Sequence, residues 1–191
     1  MAAEPITAMS VEEYLEFERA SETKHEYYGG EVLAMAGASY DHNLIVMNTG
    51  ATLHSQLRGK PCRVLPSDLR IFVPAADIFA YPDLTVVCGR PSFGPGTPDT
   101  LLNPKVIIEV PSPSTESHDR GKKFQHYRTI GSLDEYVLIT QGTPRIEHFV
   151  RQANDLWLFS EAIGSEATLH LPTIDCALTL ADVYQEVELP E

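Results

Sequence analysis

Residues 104–111 read Pro104-Lys105-Val106-Ile107-Ile108-Glu109-Val110-Pro111, an almost unbroken apolar run bracketed by prolines and carrying one carboxylate. A run this apolar suits a central strand buried on both faces. Proline cannot donate to a sheet ladder, so Pro111 marks where that strand ends. Glu109 is the anomaly within it. A buried carboxylate is expensive unless it is paired or binds a cation.

The elements around this run predict the rest of the fold. Ser10-Val11-Glu12-Glu13 is a capping-box pattern opening a helix to about Arg19. Residues 25–28 and 31–35 flank Gly29-Gly30 as a hairpin. Ser39 or Asp41 caps a long helix to about Leu57, with Leu44, Ile45, Asn48, Ala51 and Leu57 near one face. Strands are expected at 63–65, 68–73 and 83–88, the last opening after Pro82. Beyond the central strand come a helix from 116 to about 129 ended by Gly131, strands at 135–140, 145–151 and 156–161, and a short acidic helix from Thr179. The order gives a mixed α/β (α+β) domain built on one sheet. The 191 residues suffice for one domain with a full core, no linker divides them, and 1–191 is read as a single domain.

Asp83 resembles Glu109 in its setting, standing at the mouth of the apolar stretch Leu84-Thr85-Val86-Val87. If the two strands are antiparallel neighbours, both carboxylates lie at one edge of the sheet, and convergence to within about 6 Å is expected of a shared ion. Two carboxylates about 4 Å apart repel by about 4 kcal/mol at an effective dielectric near 20. Either one is protonated or a cation lies between them, and hard oxygen ligands favour Mg²⁺ or Mn²⁺. The alternative is that Glu109 merely pairs with a Lys or Arg. The helix at 116–129 offers such a cation: at 100° per residue Phe124, Tyr127 and Ile130 define its inner face, which places Lys123 toward the sheet and Lys122 toward solvent. Residues 89–104, rich in proline and glycine, join the two carboxylate strands and are expected to border the site.

These residues, with Tyr81-Pro82-Asp83, Asn103 to Val110, Ser112 to Thr115, Asp119 to Arg128, Gly131 to Tyr136, and Glu26, Gly30-Glu31 and His42, resemble the Uma family of bacterial endonucleases along nearly the whole chain. The family is placed in the PD-(D/E)XK, restriction-endonuclease-like superfamily. The resemblance implies a core of one mixed β-sheet flanked by helices, with extra antiparallel hairpins. It implies a metal-dependent phosphodiesterase, with Asp83 and Glu109 as metal ligands, Mg²⁺ or Mn²⁺ as cofactor and nucleic acid, DNA first, as substrate. The superfamily's lysine two residues after the Glu is replaced here by Pro111. The wheel and the resemblance together make Lys123, facing inward from the helix, the residue expected to stand in for it. Asp68, Glu26 and His42 are accessory candidates, and Arg120, Lys122 and Arg128 candidate phosphate contacts in the densest basic segment of the chain.

Net charge complicates a nucleic-acid partner. There are 27 acids against 14 bases, yet residues 154–191 hold no Lys or Arg and residues 1–31 only two, so the middle is close to neutral. The acidic total keeps two rivals open: a nuclease fold used for binding or assembly without turnover, and a small phosphoester hydrolase. No run is apolar enough for a membrane helix, and no leader pattern opens the chain. Cys62, Cys88 and Cys176 match neither a disulfide framework nor a zinc motif, so a cytoplasmic protein with reduced thiols is expected. A homodimer is expected.

Overall fold

The computed structural model describes residues 8–94, 98–112 and 115–189. Helix α1 (Val11–Ala20) opens on the expected capping box, with Ser10 and Glu13 bonding each other's backbone N–H. Strands β1 (His25–Tyr28) and β2 (Glu31–Ala34) form the hairpin, and Gly29 and Gly30 take the positive φ its turn requires. Helix α2 (Tyr40–Gln56) is capped by Ser39. Its inner stripe is Ile45, Thr49, Leu53 and Leu57, four residues apart, whereas Ala51 is exposed. Then come β3 (Cys62–Pro66), β4 (Arg70–Val73), β5 (Ile78–Ala80), β6 (Leu84–Cys88), β7 (Thr100–Leu101) and β8 (Val106–Glu109). A helical segment follows in three pieces, α3 (Glu116–His118), a π turn (Asp119–Lys123) and α4 (Phe124–Tyr127). The chain closes with β9 (Glu135–Ile139), β10 (Arg145–Arg151), β11 (Trp157–Ile163), β12 (Thr168–Leu171), β13 (Cys176–Thr179) and α5 (Leu180–Val183).

The strands do not form one sheet as expected. Six build a central sheet in the order β11-β10-β9-β8-β6-β3, five build a second in the order β2-β1-β5-β4-β7, and β12-β13 is a separate hairpin. Strands β5 and β7, of three and two residues, carry too little pattern to be read from sequence, and the four-residue β12 and β13 were not expected although their burial alternates. Only the β8–β9 pair of the central sheet is parallel, the connection between them being the α3–α4 segment.

Strand β8 is buried along its whole length, as its composition requires. Val106, Ile108 and Val110 face α2, α5 and the β12-β13 hairpin. Ile107 points the other way, into a cluster with Tyr127, Ile130, Leu133 and Tyr136 and with Ile71, Val73 and Ile78 of the second sheet. Period-two alternation puts Glu109 on that second face. A third cluster, Tyr14, Tyr27, Val32 and Phe79, seats α1 on the second sheet.

Cys62 and Cys88 face each other across the β3–β6 ladder and are joined as a disulfide, which corrects the expectation that all three thiols are reduced. Cys176 is free and buried. The pairing follows from strand register, which cysteine spacing does not reveal. No helix among the described residues is long and apolar enough to cross a membrane.

Candidate active site

Strands β6 and β8 are antiparallel neighbours with Leu84 opposite Ile108. Asp83 and Glu109 are the next residue on each strand beyond that last pair, which continues the register to set them opposite each other. Opposed residues of an antiparallel pair point to the same face with Cβ atoms about 5 Å apart. Two reciprocal bonds fix the corner: the Val110 N–H donates to Asp83 Oδ2 at 2.7 Å, and the Asp83 N–H donates to Glu109 Oε2 at 3.4 Å. Pro82 and Pro111 end the ladder beside them, so the strands stop where the carboxylates begin.

Lys123 comes up from the π turn. Its ammonium lies 3.1 Å from Glu109 Oε1, 3.3 Å from Glu26 Oε1 and 3.5 Å from Asp119 Oδ1. Tyr127, one turn further along the helix, donates its hydroxyl to the same Glu109 Oε1 at 3.0 Å. Tyr28 donates to Glu26 Oε2 at 2.8 Å, and the Tyr81 N–H donates to Glu26 Oε1 at 3.3 Å. His42, near the start of α2, puts Nε2 3.2 Å from Asp83 Oδ1 and Nδ1 3.0 Å from the Val110 carbonyl. Four elements distant in sequence therefore meet at one strand end: β1, α2, the β6/β8 corner and the π turn.

The electrostatics follow from burial. Glu109 is only 4% exposed. Burial pushes its carboxyl up to about 8, Asp83, Asp119 and Glu26 push the same way, and Lys123 opposes them. The Lys123 ammonium is held well above its ordinary range: burial works against its charge, but Glu109 and Glu26 outweigh it. The His42 ring is raised too, since Asp83 and the Val110 carbonyl overcome the effect of burial.

The family described as Uma2, "Putative restriction endonuclease", matches residues 11–181. The chain belongs to the Uma2 family. It is 33% identical over 161 residues to the uncharacterised Synechocystis sp. protein sll1609, covering 84% of this chain and 91% of that one. It is 31% identical over 181 residues to a second uncharacterised Synechocystis sp. protein, slr1290, covering 95% and 94%. It also shares its fold with a crystal structure described as "a putative nuclease belonging to DUF820" from Anabaena variabilis, at a TM-score of 0.76, 18% identity, and 92% and 97% coverage.

Against this Uma2 frame the sequence candidates divide. Asp83, Glu109, Lys123, Glu26 and His42 are brought together. Lys122 is exposed, as the helical wheel requires. Asp68 is not part of the cluster: it sits in the turn after β3, its side chain 83% exposed and 2.6 Å from Lys24. Arg120 is engaged elsewhere, donating Nε and Nη2 to the two oxygens of Glu147 at 2.8 and 2.9 Å and Nη2 to Glu116 at 2.8 Å. A guanidinium locked in that fork is a structural link between the π turn and β10, not a free phosphate contact. Arg128 is exposed at the end of α4. Residues 89–94 leave from the end of β6 away from the carboxylates, and 98–104 return at the end of β8 away from them. Antiparallel strands are joined at the ends away from the carboxylates, so the described residues of this segment do not border the site as expected, and 95–97 lie outside the described residues. Its residues Asp99 and Thr100 bind Arg70 instead.

Sequence reasoning missed Asp119, Tyr28 and Tyr127 as members of the cluster. The signal for two of them was present: Asp119, Lys123 and Tyr127 are spaced by four and share one helical face. Among the described residues no three His, Cys, Asp or Glu side chains converge as a ready-made metal cage. By their chemistry, Asp83 and Glu109 are carboxylates that could hold an ion. Mg²⁺ is commonly held by one or two carboxylates, with water and substrate phosphate completing its shell, and the opposed pair fits that requirement. The long Glu109 Oε2 contact leaves that oxygen acceptor capacity on the side facing Asp83.

Proposed function

We propose that this Uma2 protein hydrolyses phosphodiester bonds of nucleic acid with Mg²⁺ or Mn²⁺ held by Asp83 and Glu109. The observation that carries the reading is the register. It sets two carboxylates opposite each other at the ends of neighbouring strands, with a buried ammonium on one of them. Bound there, the ion would polarise the scissile phosphate and lower the pKa of an attacking water.

The chain's own residues do the rest. Glu26 and Asp119 hold Lys123 at the corner while leaving it next to Glu109, where its charge offsets negative charge developing on a transferred phosphate. Tyr127 fixes the Glu109 carboxyl rotamer. His42 and the Val110 N–H fix Asp83. Lys122 and Arg128, exposed on the same segment, supply phosphate contacts outside the reacting centre.

A binding protein on the same fold is favoured by one observation. Each carboxylate of the corner is already bonded within the protein, Asp83 to His42 and the Val110 N–H and Glu109 to Lys123 and Tyr127. A cleavage assay separates the two. Purified protein is incubated with labelled DNA and RNA in Mg²⁺, Mn²⁺ or chelator, beside Glu109→Gln. Metal-dependent cleavage lost in Glu109→Gln supports the nuclease. Binding without cleavage in any metal supports the binding protein.

A further inference from the structure

The central sheet has two edges, and they are built differently. At one, β3 is bounded by Pro61 and ends in Pro66, with Arg63 exposed between them. Proline and charge are the usual protections against edge-to-edge pairing. In the second sheet the edge strands are short, four residues in β2 and two in β7. The remaining edge is β11, seven residues long and without Pro, Lys or Arg. It exposes Leu158 (58%), Phe159 (48%) and Ile163 (62%). Its one charge, Glu161, is already neutralised by Arg145 at 2.7 Å. An aromatic row crosses the sheet from Tyr136 through Phe149 to Phe159 and stops in the open at this edge.

We propose that β11 pairs antiparallel with β11 of a second copy of this chain, joining the two six-stranded sheets into one. The strand is self-complementary in one register. A two-fold axis perpendicular to the sheet preserves its faces, so the axis must pass through a residue and not between two. Centred on Glu161, the pairing sets two carboxylates opposite each other. Centred on Phe159, it leaves Ala162 and Ile163 unpaired. Centred on Ser160, all seven residues pair: Trp157 meets Ile163, Leu158 meets Ala162, Phe159 meets Glu161, and Ser160 meets itself. Phe159 then lies diagonal to its symmetry mate, within reach for aromatic rings, and continues the aromatic row across the axis. Each exposed apolar side chain of the strand finds an apolar neighbour, and no like charges oppose. That match between a strand and its own inverse selects a second copy over an unrelated strand as the occupant.

The test is sedimentation velocity of the full chain across concentration, with variants at the exposed Ser160. The parent is expected to sediment as a dimer. Ser160→Lys sets two ammonium groups opposite each other on the axis and should weaken dimerisation at least tenfold, while Ser160→Thr should leave it intact. Unchanged circular dichroism and melting in Ser160→Lys show that only association was lost. Ser160→Cys should form a disulfide dimer on mild oxidation, because opposed Cβ atoms lie near the required separation, and Glu161→Cys should not. A monomeric parent at high concentration overturns the proposal, as does a dimer that Ser160→Lys leaves unchanged. Efficient cross-linking through Glu161→Cys but not Ser160→Cys overturns the register.

Discussion

Replacing Lys123 by methionine keeps most of the side-chain volume and removes the ammonium that faces Glu109, Glu26 and Asp119 at 3.1, 3.3 and 3.5 Å. All four groups lie in a corner where each side chain is 13% exposed or less. Removing one partner of a buried ion pair costs about 3–5 kcal/mol, because the other charge stays behind uncompensated. With a urea m-value of about 2 kcal/mol/M, this lowers the unfolding midpoint by about 2 M at pH 7. Lys122→Met, on the exposed neighbour, should stay within about 0.5 kcal/mol of the parent. The sign of the pH dependence is fixed. Glu109 already lies above its unfolded value, burial outweighing Lys123, and losing the ammonium raises it further, so the folded variant keeps this proton to higher pH and its stability falls as pH rises. The deficit of Lys123→Met should therefore grow as pH rises above about 8 and shrink from pH 9 toward pH 7. Glu109→Gln in the same chain should recover part of the loss, a coupling expected only of groups in contact. Urea denaturation of the four proteins at two pH values reads all of this. Equal midpoints for Lys123→Met and Lys122→Met would refute the placement of the charge.

Turnover should separate the same two lysines: Lys123→Ala lowers kcat by about a hundredfold, about 2.7 kcal/mol, whereas Lys122→Ala mainly raises KM and flattens its salt dependence, both read from steady-state cleavage at two ionic strengths. The His42 ring has its pKa raised in the folded state, so its pairing with Asp83 stabilises fully below the unfolded value near 6.5 and the contribution is lost as pH rises through the folded value. His42→Gln should accordingly lose more in Tm at pH 6 than at pH 9. Arg120→Ala should act on stability and not on phosphate binding, costing about 1–3 kcal/mol by leaving buried Glu147 without its fork, with nucleic-acid affinity unchanged in a binding titration.

Much of the fold was written in periodicities that single elements display. The Val106–Glu109 strand was legible because both faces are buried, leaving no alternation to misread. Glu109 stood out for the same reason. Lys123 was found from a helical wheel even though the residues 119–123 form a π turn, because Asp119, Lys123 and Tyr127 keep a four-residue spacing along one face. What was hidden depends on register between strands. The β1-β2 hairpin of the second sheet was legible, but its joining to β5 and the joining of β4 to β7 pair short pieces from distant parts of the chain, which no local pattern announces. The Cys62–Cys88 link needs the β3–β6 register. The loop at 89–104 was misplaced because its linkage to both carboxylate strands was read without their direction. Arg120 was read as free because the acid that holds it, Glu147, belongs to another strand.

The most direct test of the ion site is Mn²⁺ binding, followed by electron paramagnetic resonance of the free ion, in the parent, Asp83→Asn and Glu109→Gln. If the opposed carboxylates hold the ion, the parent binds one Mn²⁺ per chain, and each single substitution weakens that site at least tenfold while the proteins stay folded. Equal Mn²⁺ affinity in all three proteins, or no binding by the parent with nucleic acid present, would contradict it.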